Sequence, residues 1–212
     1  MTLAQLEALA ARLPSMGGRE IGHYLRQCVR GLCDGDSIIE LGTWLGAGTA
    51  QVCLGLRESG VRAVVHTYDR FEARATERTK AAGRGIKLKS HENTLPRVER
   101  MISGFGVEVH LHRGDIHVAR YKGPAIALHI DDACKREPVF LHALKTWGPW
   151  WIPGRTIVVL MDYWYWQVRH LADEGLRFQH DFVSARPQVF EEVWRHNDDS
   201  PAAFLYKGGL RV

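Results

Sequence analysis

Apolar positions along this chain change period after about thirty residues. Thr2 to Leu13 places Leu3, Leu6, Leu9, Ala10 and Leu13 at the spacing of one helical face, and Thr2 with Gln5 is set for a capping box. Pro14-Ser15-Met16-Gly17-Gly18 interrupts that pattern. Arg19 to Cys33 resumes it, with Ile21, Tyr24, Leu25, Cys28, Val29 and Leu32 on one face. Beyond Asp34-Gly35-Asp36, short apolar runs alternate with helical ones. The pattern predicts strands at 36–41, 62–68, 107–112, 125–130 and 155–161, and helices at 47–59, 92–103, 136–147 and 164–176. The runs near Ile126 and over Thr156 to Leu160 are almost wholly apolar, as parallel strands covered on both faces are. Alternation of this kind predicts a mostly parallel sheet with helices on both faces. The tail differs: Val189 to Arg195, a turn at Asn197 to Pro201, and Ala202 to Lys207 read as an antiparallel pair. We expect one domain over 1–212, with 1–34 as an N-terminal helical extension and 70–91 as an insertion.

Composition narrows the class. A chain of 212 residues with 45% hydrophobic and 25% charged residues can bury one ample core. No apolar run approaches the ~20 residues that span a bilayer. Met1 to Leu13 carries Glu7 and Arg12 and lacks the apolar core of a signal peptide, so the expected location is the cytoplasm, with no membrane partner. Cys28, Cys33, Cys53 and Cys134 show no C-x-x-C spacing, which argues against a zinc site or a disulfide framework. Cys28 and Cys53 sit in apolar helical patterns and read as small hydrophobes. A net charge of +4 permits an acidic partner without demanding nucleic acid.

The candidate chemistry lies at strand ends. Ile38-Ile39-Glu40-Leu41 is an apolar strand closing on a carboxylate, followed by the glycine turn Gly42-Thr43-Trp44-Leu45-Gly46-Ala47-Gly48-Thr49 and a helix. Glycines there permit positive φ and close ligand approach, and the helix's opening N–H groups face the crevice. The spacing is neither the G-x-G-x-x-G of dinucleotide folds nor a P-loop, which needs Gly-Lys-Ser/Thr. Asp69 closes the next strand. Two carboxylate-ended strands beside a glycine turn suit a nucleoside with free ribose hydroxyls. The pattern E-x-G-x-x-x-G-x-G-T resembles the first motif of the class I S-adenosylmethionine (SAM)-dependent methyltransferases, particularly the macrocin-type and other small-molecule O-methyltransferases. The alternative is a structural strand-turn-helix.

The resemblance covers roughly residues 36–208 and implies a Rossmann-like α/β fold with a seven-stranded, mostly parallel sheet ending in an antiparallel hairpin. It also implies SAM as cofactor. Glu40 would lie beside the methionyl end, Asp69 at the ribose hydroxyls and Asp115 at the adenine amino group, with Gly42, Thr43, Gly46, Gly48, Thr49 and Ile116 also binding the cofactor. Asp131 matches the family's Ile-Asp-Gly-x-His segment, although Cys134 stands at its histidine. Met161-Asp162-Tyr163 stands where metal-dependent relatives carry Asp-Asp-Tyr. Asp131 and Asp162 are therefore the expected catalytic pair. They either share a Mg2+ ion or cap and polarise the pocket without one. The acceptor implied is a small polar molecule methylated on a hydroxyl.

Several features stay open on the sequence alone. The stretch Arg70 to His91 holds seven Arg and Lys against Glu72 and Glu77. It reads either as a solvated, mobile insertion or as a lid for an acidic substrate. None of the eleven histidines, His23 and His129 included, is selected as a general base. Trp147, Trp150, Trp151, Trp164, Tyr165 and Trp166 fit an acceptor wall, a core or a subunit interface. The leading helices fit a cofactor cover or a homodimer contact. Two other functions fit as well: an RNA-directed methyltransferase using the basic stretch, and a non-catalytic binding protein, to which Cys134 and Met161 would point.

Overall fold

Every residue of β1 (Ser37–Leu41) is buried, because the strand lies mid-sheet with helices on both faces. In the computed structural model, which describes residues 1–15, 18–168, 174–197 and 199–212, β1 pairs in parallel with β2 (Val64–Asp69) on one side and β6 (Ile126–Asp131) on the other. The parallel strands β5 (Val109–Arg113) and β7 (Ile157–Leu160) extend the sheet beyond β2 and β6. The tail then reverses direction: β9 (Ala202–Tyr206) pairs antiparallel with β7, and β8 (Phe190–Arg195) with β9. The sheet order is β5-β2-β1-β6-β7-β9-β8. This is the expected seven-stranded α/β architecture with its antiparallel hairpin.

The two leading helices belong to the core. α1 (Leu3–Ala11) starts on the Thr2/Gln5 capping box. It packs Leu6 and Ala10 among Ala50, Cys53 and Leu54 of α3 (Ala47–Ser59). α2 (Gly18–Cys28) ends in a 3-10 turn at Val29–Gly31 and packs Ile21 and Leu25 with Val52 and Leu56. The α2–α3 approach needs Gly55, where a Cβ would stand 2.8 Å from the Arg26 carbonyl oxygen. α6 (Glu137–Trp147) covers the opposite face through Phe140, Leu144 and Trp147.

Two segments depart from the periodicity. The stretch 70–91 carries β3 (Glu72–Ala73) and α4 (Ala75–Ala82), and β3 pairs antiparallel with β4 (Glu92–Asn93). Phe71, Ala73 and Ala81 are fully buried beneath it, anchors that its charge pattern hides. α5 (Leu95–Ser103) follows. The expected helix at 164–176 is not continuous. α7 spans Tyr165–Val168, and residues 169–173 lie outside the described residues. A 3-10 turn at Glu174–Arg177 leads into α8 (Phe178–Ser184). Gly175 is a weak helix former. The core instead selects Phe178 and Phe182, four apart, which meet Phe140 edge to face. Among the described residues, no helix is long and apolar enough to cross a membrane.

Candidate active site

The glycine turn is shaped by a buried carboxylate. Glu40 ends β1 only 3% exposed, and accepts hydrogen bonds from the hydroxyls of Thr49 (2.5 Å) and Thr67 (2.8 Å). Its other oxygen lies where a side chain on residue 48 would begin: a Cβ on Gly48 would sit 2.5 Å from Glu40 Oε1. Gly46, with φ of 84°, caps α3 in the left-handed region. Thr43 is buried against the Thr67 hydroxyl. Gly42, also at positive φ, passes close to the Asp132 carbonyl oxygen, 3.0 Å from where its Cβ would be.

Burial pushes the Glu40 carboxyl up to about 7, against the two threonine hydrogen bonds that favour its ionised form. The native state thus holds this proton through a pH range in which the unfolded chain, near the ordinary value of 4.5, has lost it. Stability should fall as pH rises from about 4.5 to about 7, by up to about 3 kcal/mol from this group. Urea unfolding at pH 5 and pH 8 tests this: Glu40→Gln should lose less stability between the two than the parent. Equal losses would show that Glu40 does not carry the effect.

Two cavities meet at this turn. The larger, about 980 Å³, is lined by Gly42, Trp44, Tyr68 and Asp69, then by Asp115 and Ile116 beyond β5, and by Asp132 and Asp162 at the ends of β6 and β7. The second, about 520 Å³, lies between the turn and the leading helices, with Glu40, Thr43, Gly48, Ser15, Arg19 and His23 in its wall. Gly42, Trp44, Asp132 and Met161 line both. The expected cofactor residues therefore line one or other of these adjoining cavities, except Gly46 and Thr49, which shape the turn from behind.

Asp69 joins three parts of this space. Its Oδ2 accepts from the Trp44 N–H (2.8 Å) and its Oδ1 from the Phe71 N–H (2.6 Å), linking the turn to the root of the 70–91 segment. Burial raises its pKa despite these bonds. Each carboxylate oxygen keeps a further lone pair for a ligand hydroxyl. Asp115 caps the 3-10 turn Ile116–Val118 by accepting from the His117 N–H (2.9 Å).

Asp131 and Asp162 sit in different surroundings at the ends of β6 and β7, yet near enough that the Asp162 carboxylate adds to the burial that pushes Asp131 up to about 6. Asp131 is 1% exposed and does not line the crevice. Its Oδ1 accepts from the Ala133 (3.1 Å) and Cys134 (2.8 Å) N–H groups, and its Oδ2 faces the Gln179 amide on α8. Side chains alternate at a strand end, so the next residue, Asp132, faces the crevice instead. Asp162 does line it, paired with the Lys135 ammonium, which also lies 4.9 Å from the Tyr165 ring centroid. Burial and the nearby Asp162 carboxylate raise Asp132 well above the ordinary carboxylate range. Burial pulls the Lys135 pKa down, but the Asp162 and Asp132 carboxylates outweigh it, leaving the ammonium protonated. His129 is packed against the Trp147 and Trp151 rings and pushed down to about 3 by burial, so it is a core residue.

No protein-family profile matches the chain, and no curated sequence relative does. Solved structures do match. The O-methyltransferase NovP superposes with a TM-score of 0.66 at 16% identity, over 92% of this chain and 83% of NovP. The methyltransferase PaMTH1 of Podospora anserina, solved with S-adenosylhomocysteine (SAH), gives 0.63 at 14% identity over 97% and 88%. Rv0187 from MTB, solved with cofactor bound, gives 0.59 at 16% over 98% and 90%. The chain has the Rossmann-like methyltransferase fold. Within this methyltransferase fold, the residues that sequence reading passed over are Trp44, Asp132 and Lys135, while Tyr165, one of its candidate acceptor-wall residues, does line the larger cavity. The Asp131-Asp132 doublet was the one available signal: two adjacent acids at a strand end cannot both face the core.

Proposed function

We propose that this protein is a SAM-dependent methyltransferase acting on a small polar acceptor through a hydroxyl oxygen. The observation that carries the reading is the pair of cavities adjoining the glycine turn, floored by carboxylates that are short of cations. Glu40 is a buried acid and Asp132 a half-buried one, both raised by desolvation, and Lys135 is paired with Asp162. A ligand bearing a sulfonium and an ammonium relieves that cost. The glycine turn leaves room for its backbone-hugging methionyl end, Asp69 offers two acceptor oxygens to ribose hydroxyls, and Asp115 with Ile116 borders the adenine end.

Bound there, SAM supplies an electrophilic methyl group. The protein's own residues do the rest. Asp132, at the junction of the two cavities, accepts the acceptor's hydroxyl proton as the oxygen attacks. Its raised pKa makes it a stronger base than an exposed carboxylate. The Lys135–Asp162 pair holds the acceptor by donating from the ammonium and accepting at the carboxylate. Trp44 and Tyr165 wall the space and limit water.

The residues do not fit the Mg2+ site that the resemblance implied. Asp162 is neutralised by Lys135, and Asp131 spends its oxygens on backbone N–H groups and Gln179. Among the described residues, no group of three or more His, Cys, Asp and Glu gathers to hold a metal ion.

Calorimetry tests the cofactor assignment: SAM and SAH should bind at one site per chain, and NAD should not. NAD binding without a SAM signal overturns it.

A further inference from the structure

The 70–91 segment gives the crevice a roof opposite in charge to its floor. It holds seven Arg and Lys against two Glu, an excess of five where the whole chain's excess is four. Both acids on the roof also line the crevice and have cationic partners, and one Glu77 oxygen is buried without a hydrogen bond. Glu72 pairs with Arg74 and His91, and Glu77 with Arg70. On the crevice side this leaves Lys80 and Arg84. The Lys80 ammonium has no hydrogen bond or ion pair among the described residues. Arg84 spends Nε on the Ser15 carbonyl (2.9 Å) and Nη1 on the Lys80 carbonyl (3.1 Å), and lies 5.7 Å from the Trp44 ring centroid. Among the described residues no carboxylate pairs with it. These bonds hold the guanidinium over the junction of the two cavities with donors to spare.

We propose, resting on the methyltransferase reading, that the acceptor carries an oxyanion group, phosphate or carboxylate, which docks on Lys80 and Arg84 under this roof while its hydroxyl lies at Asp132. Opposite fields on roof and floor orient such a molecule before the reaction: its anion is repelled by the acidic floor, and the cofactor's cation by the basic roof. Two cations one helical turn apart, neither paired with a carboxylate among the described residues, suit an oxyanion in a partly dry site.

The test uses the full chain saturated with SAH, titrated at low ionic strength with inorganic pyrophosphate and, separately, with succinate. Saturable binding of at least one is expected, with the tighter one naming the source of the oxyanion. Lys80→Ala/Arg84→Ala should weaken it about tenfold or more and leave SAH affinity unchanged, and added salt should weaken it too. Lys80→Arg/Arg84→Lys should restore it, and Lys145→Ala, on α6, should have no effect. Binding of neither anion while SAH binds overturns the inference and leaves the methyltransferase reading standing. So does anion binding that ignores the double Ala variant. Far tighter, steeply salt-dependent binding of a single-stranded RNA oligomer overturns the small-molecule acceptor in favour of RNA. Anion binding by a protein that takes neither SAM nor SAH overturns the methyltransferase reading, and the acceptor assignment with it.

Discussion

Asp132→Asn should lower turnover by about 100-fold or more while leaving SAM affinity nearly intact, the scale of a positioned proton acceptor. The amide is isosteric and can still accept a hydrogen bond, so the acceptor stays in place while its proton has nowhere to go. The contrast with Asp131→Asn makes the experiment decisive. Asp131 is buried among the Ala133 and Cys134 N–H groups, so its amide variant should act on stability more than on the chemical step. Single-turnover rates and urea midpoints measured on both variants separate the two effects. A wild-type rate for Asp132→Asn, or a larger catalytic loss for Asp131→Asn, would return the proton-acceptor role to Asp131.

Asp69→Ala should weaken SAM binding by about 2–4 kcal/mol, from two charge-assisted hydrogen bonds to ribose hydroxyls. The same substitution releases the Trp44 and Phe71 N–H groups that Asp69 now holds. Asp69→Asn keeps one acceptor oxygen and should fall between parent and Ala. Calorimetric affinities in the order parent, Asn, Ala, with melting temperatures little changed between the two variants, would place the loss at the ligand. Unchanged affinity in Asp69→Ala would remove Asp69 from the ribose site.

The central sheet, the glycine turn and the antiparallel tail were legible because their signals are local. The apolar runs, the E-x-G-x-x-x-G-x-G spacing and the reversal at 197–201 each lie within a few residues. What escaped depends on distant partners. Asp131 matched the motif by position, but its carboxylate is held by the Ala133 and Cys134 N–H groups and faces Gln179, 48 residues away on a helix the periodicity did not predict. Lys135 reads as an ordinary surface cation until β6 and β7 bring Asp162 to it. The 70–91 segment reads as solvated because its many charges outnumber three small anchors, and Phe71 is buried with a φ of 49° that no composition count reveals.

The place of β9 between β7 and β8 has a consequence for synthesis on the ribosome. The strand of this sheet that emerges last is an interior one, not an edge. β8 is made first and, in this sheet, pairs only with β9. Until Ala202–Tyr206 is released, β7 presents Ile157–Leu160 as an open, apolar edge, the kind that templates pairing with a neighbouring chain. A nascent chain halted at Pro201 would carry the whole glycine turn, Asp69 and Asp132, yet be a hazard to its neighbours. The residues that make the protein safe to accumulate are thus translated after those proposed to make it work.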